Sequence, residues 1–243
     1  MNAEATCTAK ISLLRAFEIR IDGRPVAVSN STQRLLAFLA VRDRPQLRAT
    51  AAMTLWADTT EERAAANLRS VLWKLADLRD RLIQTFGNYL TLAPDVEVDF
   101  SQLLERARTL ISSGDHEEIV DFDRTTGDLA DDLLPDWDED WLMFERERLR
   151  QLRVHALEAL TRRLCDERRF GEAVEAGLAA VDAEPLRESA QRLLIEVHLA
   201  EGNVAEARRQ FESYREILWD HLALMPSVSL CSLVGVMGPR SGA

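Results

Sequence analysis

The residues best equipped for chemistry lie between Arg63 and Lys74. At 100° per residue, Leu68, Val71, Leu72, Leu75 and Leu78 share one side of a helix and are expected in a core. Arg63, Asn67, Arg69, Ser70, Trp73 and Lys74 fall on the flanks and the opposite side. The chemistry these six offer is recognition. Arginine grips guanine through two hydrogen bonds and asparagine does the same with adenine, whereas lysine and serine more often hold phosphate. Exposed charges alone are ordinary on any helix. An outward-facing tryptophan is not, and Trp73 asks for a partner. Asp77 and Asp80 mark where contact with a polyanion stops, because carboxylates repel phosphate.

Catalytic chemistry has no comparable constellation. His116, His155, His198 and His221 stand apart from one another and from any nucleophile. Asp136, Asp138, Glu139 and Asp140 lack the oxygen spacing and turn glycine of a calcium loop. Cys7, Cys165 and Cys231 are odd in number and widely spaced, so neither a disulfide framework nor a structural zinc site fits. No glycine-rich phosphate loop ending in GK[ST] occurs. The sequence therefore predicts no enzyme, no cofactor and no metal. It also lacks an apolar run near the ~18 residues of a membrane span, and Met1 to Lys10 do not form a secretory signal, so a cytoplasmic protein without a membrane partner is expected.

The elements that hold these residues fall into two differently written parts. The 243 residues carry a net charge of −11, unevenly distributed. Residues 1–100 hold 13 Lys and Arg against 12 Asp and Glu, net +1, and the remainder 17 against 29, net −12. A near-neutral first part can present a basic face to nucleic acid, whereas the acidic second part more plausibly meets protein. Residues 10–28 alternate at Phe17, Ile19 and Ile21, with Asp22-Gly23 as a tight hairpin turn. The period changes to helical at Leu35, Leu36, Phe38 and Leu39, capped by Ser29, Asn30 or Ser31 and stopped before Pro45. A second helix is predicted over Arg48 to Trp56, and a third over about Glu61 to Arg81 with Thr59 or Thr60 as cap. A closing hairpin turns around Phe86-Gly87-Asn88. It carries Thr85, Phe86, Asn88 and Tyr89 but no Arg or Lys, and Tyr89 is expected in the core.

After Asp99 the pattern is helical and repeats. Ala156, Leu160, Phe170, Glu172 and Ala173 recur 34 positions later as Ala190, Leu194, Val204, Glu206 and Ala207, the period of tetratricopeptide helix pairs. Two pairs cannot bury their faces alone, so Ser101 to Ile111, Asp115 to Asp123 and Trp137 to Leu149 are candidates to complete the stack, with Gly114 in a turn. Asp128 to Trp141 reads as an acidic connection in which Trp137 and Trp141 pack, as Trp56 does at the end of the second helix.

Strand hairpin, three helices and a closing hairpin is the order of an OmpR-type winged helix, whose third helix enters the major groove. The segments LLRAFEIRIDGRPVAV, QRLLAFLAV, TLWAD, NLRSVLWKLADLRD and GNYLTL resemble, in that order, the winged-helix region of the Streptomyces antibiotic regulatory protein family. From about Asp99 to Val234, GDLADDLLPDW, FERERLRQLR, AEPLRESAQRLL and EGNVAEARRQFESYREIL resemble the bacterial transcriptional activator domain that follows it there. His221-Leu222-Ala223 departs from the Glu-Leu-Gly of relatives, and the large ATPase module of longer relatives has no counterpart in this sequence.

The expected fold is thus α+β: a winged helix-turn-helix domain over residues 1–98, then an all-α tetratricopeptide-like repeat domain over 99–243. The resemblance implies a sequence-specific activator that binds double-stranded promoter repeats through its third helix and recruits RNA polymerase. One winged helix covers few base pairs, so a homodimer on DNA is expected. The rival reading is an interaction scaffold whose repeat domain binds a partner and whose winged helix has lost DNA affinity. Arg63, Arg69 and Lys74, which a scaffold has no reason to hold together, discriminate between the two.

Overall fold

A computed structural model describes residues 9–112, 126–127 and 129–235. Cys7, Gly114, His116 and the helix expected over Asp115 to Asp123 lie outside the described residues, as does the side chain of Asp77. The chain divides into two compact units, residues 1–105 with 131–147, and residues 106–130 with 148–243.

In the first unit, β1 (Ala9–Ser12), β2 (Glu18–Ile21) and β3 (Arg24–Pro25) form an antiparallel meander. Asp22 and Gly23 both sit at positive φ, 51° and 76°, as the two-residue turn between β2 and β3 requires. Then follow α1 (Asn30–Arg42), β4 (Gln46–Leu47), α2 (Arg48–Leu55), α3 (Glu61–Lys74), α4 (Ala76–Leu82), β5 (Ile83–Phe86), β6 (Tyr89–Leu92) and β7 (Val96–Val98). Ser29 caps α1 by accepting the amide of Thr32, and Thr60 caps α3 by accepting the amide of Arg63. The third predicted helix is two: α3 ends at Lys74, Leu75 forms a turn, and α4 carries the rest to Leu82. β7 pairs in parallel with β1, giving the order β3-β2-β1-β7, while β4, β6 and β5 make a second, three-stranded sheet.

The unit reaches beyond the winged-helix segment of the chain. Asp99 opens α5 (Asp99–Ser112), and its carboxylate accepts the backbone amides of Leu13 at 2.8 Å and Phe100 at 2.7 Å. Burial raises its pKa above the ordinary aspartate value while these amides pull the other way. Residues 131–147 belong to the same unit. Leu133 and Leu134 are buried, Leu133 bridges to Leu14, and Trp137 stacks on Phe17 with centroids 5.7 Å apart. Glu139 pairs with Arg34, and Trp141 meets Phe38 edge-on at 5.5 Å. The supposed connection is therefore part of a core, and Trp137 and Trp141 pack as expected. The helix predicted from Trp137 is the start of α6 (Asp140–Asp166), whose later turns are the first helix of the repeat.

In the second unit, α7 (Phe170–Ala183), α8 (Glu188–Glu201), α9 (Val204–Leu222) and α10 (Val228–Leu233) follow α6. The repeat is visible in burial: Ala156, Leu160 and Ala173 are fully enclosed, and so are Ala190, Leu194 and Ala207. Gly177 lets helices approach closely, since a Cβ there would stand 3.2 Å from the Leu194 side chain. α10 closes the stack, burying Leu230 and Cys231 with Phe211, Tyr214 and Leu218. α9 ends at Leu222 and is capped by Ala223, which takes the left-handed conformation (φ 53°) without a glycine.

Candidate nucleic-acid interface

α2 and α3 pack on each other and on α1, which makes α3 the second helix of a helix-turn-helix. The turn between them is pinned by the Thr59 hydroxyl and amide, both donating to the carbonyl of Trp56 at 2.9 and 3.1 Å. Trp56 itself is half-buried. Glu61 and Glu62 in the first turn of α3 complement its dipole, and Lys74 does so in the last.

Ala64, Leu68, Val71, Leu72 and Leu75 are buried and fix the rotation of the helix. Arg63, Arg69, Ser70, Trp73 and Lys74 are exposed and Asn67 is half-exposed, so all six lie off the packed stripe. Trp73 is 80% exposed, the most open tryptophan among the described residues. None of the six side chains has a hydrogen-bond or ion-pair partner among the described residues.

The six do not form one row. Arg63, Asn67, Ser70 and Lys74, at spacings of four, three and four, run along one line; Arg69 and Trp73 run along a second about 100° round the helix. Glu62 and Ala66, both exposed, continue the second row at spacings of four and three leading to Arg69, and Ala66 is a small residue beside the first row. The small side chains of Ala66 and Ser70 leave room for close approach between the longer ones around them. Ala66 also offers the apolar contact that a thymine methyl takes. Its signal in the sequence is its place on the exposed arc of the helix, since it carries no charge.

The three-stranded sheet also differs from expectation at one residue. In the pairs Gln46–Leu90 and Leu90–Thr85 the side chains share one face, and Leu90 is fully buried. Leu47–Tyr89 and Tyr89–Phe86 share the other, and Leu47, Tyr89 and Phe86 are 43%, 45% and 53% exposed. Tyr89 is thus on the outer face and not in the core: Leu90 takes the inward position and alternation turns Tyr89 out.

The model of the family described as "Bacterial transcriptional activator domain" matches residues 95–235. The chain belongs to the bacterial transcriptional activator domain family. A family of transcription regulators accords with the absence of a catalytic constellation from the sequence. The solved structure of Mycobacterium tuberculosis EmbR in complex with a low-affinity phosphopeptide is similar, with a TM-score of 0.75 at 19% identity. The match covers 94% of this chain and 64% of that one, so the chain spans a little under two thirds of that structure's length. No curated protein matches. The resemblance read from the sequence is borne out: a mixed α/β region with winged-helix topology precedes the helical activator domain. Among the described residues no helix is long and apolar enough to cross a membrane, and no group of His, Cys, Asp and Glu is placed to hold a metal ion.

Proposed function

We propose that this activator-domain protein binds double-stranded promoter DNA through α3 and recruits RNA polymerase through its helical domain. The observation that carries the first part is the outward face of α3: six side chains suited to bases and phosphates, all without a partner among the described residues, on a helix whose other side is locked into a core. Arg63, Asn67 and Arg69 supply base-edge hydrogen bonds, Ser70 and Lys74 phosphate contacts, and Trp73 apolar contact beside them. The second part follows from family and charge. The acidic excess after residue 100 disfavours DNA and suits a protein partner.

Useful specificity from so small a module takes two copies on adjacent sites, so a homodimer forms on DNA, head to tail where the sites are direct repeats. Selection of bound duplexes from a random-sequence pool by the full chain tests the whole reading. The expected result is one enriched motif repeated in the same orientation, carrying two protein copies per duplex in mass photometry. Recovery of no motif, with the folded chain bound to a protein partner instead, would establish the scaffold reading.

A further inference from the structure

The end of α9 and the loop after it are apolar on the outside. Trp219, Leu222, Leu224, Met225 and Val228 are each half to three-quarters exposed. Their positions are fixed by the chain around them. Ala223 turns the backbone in the left-handed conformation, Pro226 is buried, and the Ser227 amide donates to the Glu188 carboxylate at 2.9 Å. Met225 is thereby brought to the groove that Trp219 lines with Arg215, Glu216 and Asp220.

This patch is more than the open end of a helical stack. A terminal repeat needs a polar outer face, and the second repeat has one: Val174, Leu178 and Val181 of α7 correspond, 34 residues on, to Arg208, Glu212 and Arg215 of α9. The stack is therefore closed by substitution of charge for apolar surface. α9, at 19 residues, outruns the 14 of α7, and the patch begins only in that extension.

We propose that Trp219, Leu222, Leu224, Met225 and Val228 pack against the same residues of a second copy, so that the chain is a dimer without DNA. Needing no DNA, this contact goes beyond the homodimer proposed above. The five residues leave about 600 Å² open, which is the size of an interaction patch and, with its rim, close to the ~800 Å² that each partner of a stable dimer covers. The rim carries both signs side by side, Arg215 next to Glu216 and Asp220, so two-fold rotation sets cation against carboxylate. A foreign partner selected by charge would call for a rim of one sign. The pinned loop adds to affinity by having little freedom left to lose. The contact lies within the second compact unit and α3 within the first. Dimerisation there raises the effective concentration of the second winged helix at paired sites without setting their order.

Sedimentation equilibrium of the full chain without DNA, over a range of protein and salt concentrations, tests the proposal. A reversible dimer is expected. Added salt does not weaken it, because the contact is apolar and the acidic second halves repel each other less when screened, whereas salt weakens DNA binding. Trp219→Ala raises the dissociation constant at least about thirtyfold, the effect of removing an interface hot spot. Val228→Asp does the same while melting like the wild type, since Val228 is exposed and an acid in the first turn of α10 suits the helix dipole. Trp73→Ala, on α3, leaves the dimer unchanged.

A chain that stays monomeric at every concentration, or a dimer whose dissociation constant either Trp219→Ala or Val228→Asp leaves unaltered, overturns the proposal. Binding to a duplex with a single selected site keeps this outcome apart from the fate of the DNA-binding reading, because Val228→Asp is expected to bind that duplex with wild-type affinity. If the dimer forms and no duplex binds, the DNA reading falls and the dimer stands; if the duplex binds and no dimer forms, the reverse holds.

Discussion

At position 168 an arginine holds the backbone conformation that its counterpart 34 residues later leaves to glycine. Arg168 lies at φ 59° and Gly202 at φ 93°, each in the turn that joins the two helices of a repeat. The left-handed conformation costs a side-chain-bearing residue about 1–2 kcal/mol, partly offset by the larger freedom a glycine loses on folding. Arg168→Gly is therefore expected to stabilise the chain by about 0.5–1 kcal/mol, and Gly202→Ala to destabilise it by about 1 kcal/mol, in denaturant melts. Nothing lies within 4 Å of a Cβ built at Gly202, so any loss there is conformational and not steric. Single residues were legible in the sequence where a period repeated. The leucine stripe of α3 turned all six candidate side chains away from the core, and the alanines of the repeat are buried in both copies. Tyr89 lies outside the core because the parity of a four-residue strand rests on which neighbour claims the core, and Leu90 does.

Elements were legible where their ends carry chemical signals. Thr60 and Ser29 are caps that a sequence announces, and Asp22-Gly23 is a turn it announces. The break between α3 and α4 at Leu75 has no glycine or proline to mark it, and β7 is three residues whose parallel partner lies more than 80 positions away. The link from α6 to α8 makes a prediction of its own. Arg187, just before α8, donates to both carboxylate oxygens of Glu158 at 2.8 and 3.1 Å, with Ser189 and His155 beside them. Burial pushes the Glu158 pKa up, but the hydrogen bonds from Arg187 and Ser189 and the charges of Arg187 and His155 outweigh it, so the carboxyl lies below the ordinary glutamate value. A depressed pKa means stability that is present above the unfolded-state value, roughly 4.3, and lost as pH falls through the folded one. Arg187→Ala leaves the carboxylate with burial and fewer partners, at a cost of about 1–3 kcal/mol near neutrality. The gap in melting temperature between wild type and variant should narrow as pH falls below about 4, through the depressed pKa of Glu158. A gap independent of pH would place the effect in packing alone.

On the scale of the whole molecule, chain order and spatial order differ. Division at Val98 follows the change of sequence pattern, yet Leu133, Leu134, Trp141 and Leu142 are buried in the unit that contains β1 to β7. That return was illegible because its partners, Leu14, Phe17 and Phe38, lie more than 100 residues earlier and no local pattern links them. A fragment ending at Arg108 is accordingly expected to melt well below one ending at Glu147, by several kcal/mol of lost apolar burial. Equal stability of the two fragments, measured by urea titration, would show that residues 131–147 contribute nothing to this core. The central claim, that the outward face of α3 reads DNA, is tested most directly by equilibrium binding of the full chain to its selected duplex across a range of salt. Arg69→Ala should lower specific affinity by about 1–3 kcal/mol and relax the preference at one base pair. Lys74→Ala should weaken all sequences alike and reduce the salt slope by about one unit. Leu72→Ala, a core truncation, should act only through a lowered melting temperature. If the Arg69 and Lys74 variants stay folded and bind with unchanged affinity, base preference and salt slope, α3 is not the reader.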